Sequence, residues 1–235
     1  MRLRYAAACL AACAALALGG ARAEWYVFET DSPPEALLEA AMQVSGFSGE
    51  VTLSFLGDCT LGGEDWLVNR EGSFHDYARK KGYGYFFEKV RDFFAEDDLT
   101  IVNFEGVLKD DARDAVNKTY CFRGPTDFAN ILTLSSIEAV NLDNNHTLDY
   151  GKRGKTSTVE ALTGAGVHVF DELTPYIFEK DGIKIAFFGM QRVHFYTLRE
   201  QLTEQMRVLR EEEGVNAIIF AQHTGTEYAL SLIHI

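Results

Sequence analysis

The chain has 235 residues, 47% of them hydrophobic and 12% aromatic, a globular composition with enough apolar mass for one sizeable core. Lys and Arg number 22 against 35 Asp and Glu, a formal net charge of −13 at pH 7. A surface this acidic argues against nucleic acid and against an anionic membrane as partners.

The first residues read as a leader. MRLR is basic, YAAACLAACAALALGG is an apolar run too short to span a bilayer comfortably, and Ala21-Arg22-Ala23 fits a small-x-small cleavage site. Residues 1–23 are therefore expected to be a signal peptide, with an exported protein beginning at Glu24, secreted or tethered at the cell surface. Leu10-Ala11-Ala12-Cys13 resembles a lipoprotein box with Cys13 lipidated, but the apolar run continues past Cys13, which favours ordinary cleavage. Cleavage removes Arg2, Arg4 and Arg22 and no acid, so the mature chain is more acidic still. Residues 24–48, with Pro33-Pro34 and the helix-like ALLEAAMQV, read as a linker. Outside the leader remain Cys59 and Cys121, which do not by themselves specify a disulfide.

The domain begins at EVTLSFLGD, where Val51, Leu53 and Phe55 alternate with Thr52 and Ser54 as a first strand. Residues 83–95 place Phe86, Phe87, Val90, Phe93 and Phe94 at helical spacing and predict a helix. LTIVNFEG is the second strand, PTDFANILTL a helix opened by proline, IEAVNL the third strand, and KRGKTSTVEALTGAG a helix ending in glycines. VHVF, YIFEK and IKIAFFGM are further strands; residues 197–213 form a helix with Leu198, Leu202, Met206 and Leu209 on its buried stripe; VNAIIFAQ is the last strand. Strands alternating with helices imply an α/β sheet.

Four strand ends carry polar groups of one kind, where open α/β folds bind ligands. Asp58 closes the first, Asn103 and Glu105 share a face of the second, Asn144, Asn145 and His146 end the third, and His223 and Glu227 follow the last. Each has a plain reading as a turn, cap or solvated edge residue. Together, carboxylate, amide and imidazole donors suit Zn, Mn or Fe, and Mg where oxygen dominates, with two ions as one arrangement. Asp149 and Gly151 are read as shaping the turn into the next helix, and Cys59 as a small half-buried thiol. Lys118 and Arg123, in KTYCFRG, either bind an anionic substrate or are surface charge.

The order GDCTLGG, NFEG, NNHTLDYG before a helix, GIKIAFFG and HTGTEY resembles the bacterial capsule-synthesis protein CapA family, also described as poly-gamma-glutamate synthesis proteins, over roughly residues 51–228. The resemblance implies a metallophosphatase-like α/β fold, a sandwich of two sheets flanked by helices (α/β/β/α), working outside the cytoplasmic membrane on anionic capsule polymer. It puts Asp58, Asn103, Glu105, Asn145, His146, His223 and Glu227 at family motif positions. Asp58, Asn103, Glu105, Asn145, His146 and His223 are then expected metal ligands. His146, His223 and Glu227 are expected catalytic groups, Glu227 orienting His223 or acting as acid or base. The implied partners are anionic capsule polymer or its precursors and a membrane-bound polymer synthase complex.

Family members continue into a further helix, a strand ending in a Gly-His-x-x-His motif and a segment like YSLGNF. This sequence stops seven residues after Tyr228, and its closing LSLIHI reads as the translation of a sequencing-library transposon end. A family domain over residues 49–229, incomplete at its C-terminus, is therefore expected, with residues 230–235 an adapter artefact. Such a chain is expected to bind metal weakly and to leave sheet edges open. Two function classes follow: a metal-dependent hydrolase-type component of polymer assembly, or a non-enzymatic surface protein that binds the polymer or contacts its synthase. A plain phosphoesterase ranks lower, because NNH and NFE depart from the usual metallophosphatase set.

Overall fold

Two five-stranded sheets face each other, each covered on its outer side by helices. The structure is a computed structural model and describes residues 2–5, 12–15, 26–27 and 50–224. Three short strands come first: β1 (Arg2–Tyr5), β2 (Ala12–Ala15) and β3 (Tyr26–Val27). The first sheet has the order β1, β4 (Thr52–Cys59), β5 (Leu99–Phe104), β8 (Ala139–Asn141), β9 (His168–Phe170), with every neighbour parallel. The second has the order β10 (Tyr176–Lys180), β11 (Ile183–Gln191), β12 (Ala217–His223), β2, β3, in which β11 and β12 run parallel. A two-stranded ribbon, β6 (Val107–Leu108) with β7 (Arg123–Gly124), stands apart. Segments of the expected leader thus lie along β4 and β12. β2 pairs antiparallel with β12.

Strand periodicity of two assigns residues to layers. Leu53, Phe55, Leu99, Ile101, Ala139, Phe170, Ile185, Phe187, Ile219 and Ala221 pack between the sheets. On the outer face of the first sheet, Val102, Phe104 and Val140 meet α1 (Phe74–Lys81), α2 (Arg91–Phe94), α3 (Ala129–Thr133) and α4 (Gly151–Gly164) through Ala78, Phe94, Ile131, Leu132 and Leu162. On the outer face of the second, Ala186, Phe188 and Ile218 meet Leu202 and Leu209 of α5 (Arg192–Glu211). This is the expected α/β/β/α layering. α1 shows why such helices start and stop where they do: the Ser73 hydroxyl accepts from the Asp76 amide at 3.2 Å, and Arg79, Lys80 and Lys81 crowd the last turn, where the helix dipole favours cations.

Two local expectations are corrected. Residues 83–95 are not one helix: Tyr83–Tyr85 form a 3-10 turn, only Arg91–Phe94 is α-helical, and Val90 and Phe93 remain exposed. Phe86 stacks on Phe74 with ring centroids 4.1 Å apart while Phe94 enters the helix-side core, so the aromatics pack piecewise from a looped backbone. Asp58, read as lying just after its strand, sits inside β4. There the register steps from Phe55 opposite Ile101 to Asp58 opposite Asn103, three residues against two. This bulge reverses the strand's alternation and turns Asp58 onto the same face as Phe55.

Candidate metal centre

The polar site continues the inter-sheet layer past its apolar part. Ile101 is followed on the same face by Asn103, Ala139 by Asn141 and Ala221 by His223. A cavity of about 290 Å³ opens between these strand ends, lined by Phe55, Gly57, Asp58, Asn103, Asn141 and His223 among others.

Asn103 is the hub. Its amide nitrogen donates to Asp58 Oδ1 at 2.7 Å and lies 3.1 Å from His223 Nδ1. Its oxygen accepts from Asn141 Nδ2 at 3.0 Å and Asn144 Nδ2 at 3.1 Å. One hydrogen and both lone pairs are used, which fixes the amide orientation, and the second hydrogen is accepted by His223 Nδ1 when that nitrogen is unprotonated. Glu105, which prolongs the ladder through its amide to the Cys59 carbonyl, brings Oε1 to 3.6 Å from His223 Nε2 and 3.9 Å from His146 Nε2. Asn145 Oδ1 lies 2.9 Å from His223 Nε2. Asp58, Glu105 and His223 each offer a ligand atom within 4.8 Å of the other two.

NNHTLDYG folds as a unit around this point. Asn144 also donates to the Phe104 carbonyl at 2.8 Å, and its oxygen accepts from the His146 amide at 3.0 Å. Thr147 Oγ1 donates to the Leu142 carbonyl. His146 Nδ1 is 2.7 Å from Asp149 Oδ2, its ring stacks on Phe122 at 4.3 Å, and Nε2 is left facing Glu105. Asp149, 1% exposed, also accepts from the Phe122 amide at 2.8 Å and from Lys118 Nζ at 2.9 Å. Carboxylate-held imidazoles of this kind are the usual support for a metal-binding histidine. The Tyr150 hydroxyl donates to Asp65 at 2.7 Å, and Gly151, at φ 61, turns the chain into α4.

Electrostatics sharpen the picture. Asp58 is held below the ordinary carboxylate range, chiefly by His223, and His223 is raised chiefly by Asp58. Glu105 is raised, first by burial and then by the Asp58 charge. Two carboxylates converge here with an imidazole as the group that relieves them. The donor set fits a divalent cation, with Asn145 and His146 beside it as further oxygen and nitrogen donors. Asn103 directs its nitrogen at the site and its oxygen into the amide network, so it positions Asp58 and His223.

Of the other expected residues, Lys118 stands behind His146, donating to Asp149 and to the Asn145 carbonyl at 2.8 Å. Arg123 is not brought to the cluster: it is buried, with Nε 2.7 Å from Asp65 Oδ1 and Nη1 donating to the Lys109 carbonyl at 2.6 Å. The approach of that segment explains a motif glycine. A Cβ on Gly62, at φ 133, would lie 2.3 Å from the Arg123 carbonyl oxygen. Cys59 and Cys121 are free thiols, and burial pushes Cys59 up to about 12. Glu227 lies outside the described residues. Sequence reasoning missed Asn141 and the anchoring role of Asp149. Asn141 could have been found as a polar residue ending an apolar strand, in register with Asn103.

With metal-type donors gathered where the parallel strands of two facing sheets end, the chain falls in the metallophosphatase-like class of α/β proteins. The family model described as "Bacterial capsule synthesis protein PGA_cap" matches residues 52–232, and the chain belongs to that family. Two relatives, each named "Probable polyglutamine synthesis accessory protein", come from Mycobacterium tuberculosis strains CDC 1551 / Oshkosh and ATCC 25618 / H37Rv. Each is 39% identical over 70 residues, which cover 30% of this chain and 18% of the relative's length.

Proposed function

We propose that this chain is an exported component of capsule or poly-gamma-glutamate assembly whose inter-sheet cluster binds a divalent metal ion and carries a hydrolase-type reaction on anionic polymer or a precursor. The observation that carries the reading is the convergence of Asp58, Glu105 and His223 within 4.8 Å. Export is supported by the leader pattern of residues 1–23. Work alongside a synthesis system is supported by the names of the mycobacterial relatives.

Asp58, Glu105, His223, His146 and the Asn145 amide oxygen would hold the ion, which when bound supplies Lewis-acid polarisation of a carbonyl or phosphoryl oxygen. The chain's own groups do the rest. Asn103 fixes the directions of Asp58 and His223, and Asp149 holds His146 Nδ1 so that Nε2 faces the site. Glu105, raised by burial and then by the Asp58 charge, would give up its proton to serve as a ligand. Glu227 keeps its proposed role of orienting His223 or acting as acid or base.

The test is metal content and turnover together. The family domain with its Gly-His-x-x-His motif in place, purified with Mn2+ or Zn2+, is expected to retain metal and to cleave a model phosphoester or gamma-glutamyl amide, and Asp58→Ala with His146→Ala in that form is expected to lose both. Unchanged metal content in that variant sinks the assignment. Saturable binding of poly-gamma-glutamate without turnover moves the protein to the non-enzymatic class.

A further inference from the structure

A second group of ligand-type side chains lies outside the motifs. Asp143 follows β8, Glu172 follows β9, and His194 sits in the first turn of α5. None of the three falls within GDCTLGG, NFEG, NNHTLDYG, GIKIAFFG or HTGTEY. Each offers a ligand atom within 4.8 Å of the other two.

The group is held by more than proximity. Asp143 is 3% exposed; its Oδ2 accepts from the Gln191 amide at 2.7 Å and its Oδ1 lies 2.8 Å from His194 Nδ1. Glu172 Oε1 stands 4.0 Å from the same nitrogen. The elements can approach this closely because β11 carries no side chain at the crossing. A Cβ on Gly189 would lie 2.1 Å from Asn141 Oδ1, 2.8 Å from Asp143 Cβ and 3.1 Å from Asp171 Cα. The charges are also arranged. Lys155 Nζ pairs with Asp171 at 2.8 Å, while Asp143 and Glu172 converge on His194. Burial first, and then the charges of Asp143 and Asp171, raise Glu172. Glu172 and His194 are partly open to solvent, so an ion has a way in.

We propose that Asp143, Glu172 and His194 form a second divalent-cation site, of the borderline kind that takes mixed carboxylate and imidazole donors, with Zn2+ as the ion that fits the set. The ion would be held at His194 Nδ1 by the neutral imidazole in the tautomer that carries its hydrogen on Nε2, with Asp143 and Glu172 as carboxylates. It ties the loops after β8 and β9 to the start of α5. Asn141 connects this site to the first cluster: its nitrogen donates to Asn103 Oδ1 at 3.0 Å, and its oxygen accepts from the Asp143 amide at 2.9 Å. The second site therefore steadies the loop that carries Asn144, Asn145 and His146.

The inference does not depend on the reading of the first cluster, and one experiment separates them. The whole chain is stripped of metal and titrated with Zn2+, with bound zinc and melting temperature as readouts. Asp58→Asn with His223→Asn silences the first cluster; Glu172→Gln with His194→Gln silences the second. The first double variant is expected to keep one equivalent of Zn2+ and a zinc-dependent rise in melting temperature, and adding the second pair is expected to remove both. Glu172→Gln alone, a near-isosteric change at a half-buried position, is expected to weaken that equivalent at least about tenfold while leaving the metal-free melt unchanged. The proposal is overturned if the first double variant binds no zinc, or if its zinc survives Glu172→Gln with His194→Gln. Zinc retained by the first double variant but absent from the second would sink the first-cluster reading and leave this one standing.

Discussion

The space between the two sheets has two ends built from the same strands. At one end Leu53, Ile101, Ala139, Phe187 and Ile219 interlock and exclude water; at the other Asn103, Asn141 and His223 occupy the same faces further along. Each polar side chain follows an apolar anchor by one strand period, as His223 follows Ala221. Burial fixes the strands, and the strands then deliver amide, carboxylate and imidazole to one point without loops having to find it. The apolar end should therefore carry stability, and the polar end ligand binding.

The largest expected effect tests that division. Phe187 is fully buried, with ring centroids of Phe55, Phe170 and Tyr176 at 6.2, 6.1 and 6.2 Å. Phe187→Ala should cost about 3–5 kcal/mol by lost transfer energy and a residual cavity. His223→Ala, at the other end of the layer, should shift metal-free stability by no more than about 1 kcal/mol while abolishing metal retention. Urea unfolding of both variants, with metal analysis, checks this. Equal destabilisation would mean that the polar end also holds the sheets together.

How far this was legible from sequence depends on whether a feature is local. Alternation in VTLSF and LTIVNF, the glycine-terminated helix and the polar strand ends are local, and they located the strands and most of the cluster. The bulge at Leu56 and Gly57 is a property of pairing with β5, so Asp58 could be named but not placed on its face. The place of Arg123 was hidden for a similar reason: its partner Asp65 is 58 residues away, and nothing in KTYCFRG signals that the arginine turns inward to meet it. Residues 83–95 misled because paired aromatics fit a helical stripe as well as they fit a looped segment whose rings are gathered by Phe74 and Phe128. The Asp143, Glu172 and His194 group comes from three segments whose approach depends on one glycine of β11.

A smaller effect sharpens the comparison inside the polar end. Asp149 touches His146, Lys118 and the Phe122 amide but directs nothing into the cavity. Asp149→Asn keeps the shape and removes the charge that holds His146 Nδ1. Metal affinity is expected to fall about 10- to 100-fold, as when outer partners of metal-binding histidines are lost. Calorimetric titration measures it. Because a buried carboxylate facing an ammonium is being replaced, the unfolding free energy should be measured alongside, and an affinity loss that tracks instability alone would make Asp149 structural only.

The smallest expected effect is in pH, and its sign distinguishes the metal-free site from the occupied one. Asp58, lowered from 3.8, contributes stability above that value and loses it as pH falls through its lower folded value. His223, raised from 6.5, contributes fully below 6.5 and loses that contribution as pH rises through its folded value. Glu105, raised from 4.5, acts in the same direction as His223, because its protonated form is the one the folded site favours. The metal-free chain should therefore lose stability from this cluster as pH rises above 4.5, where Glu105 begins to contribute, and again above 6.5, where His223 does. A bound cation reverses the trend, since it requires the deprotonated carboxylates and imidazole and stabilises the fold more as they become available. Melting temperatures through both steps, with chelator and with Zn2+, should diverge as pH rises. Parallel curves would mean that the protons on Glu105 and His223 and the metal do not compete for the same place, and the three residues would have to be reassigned.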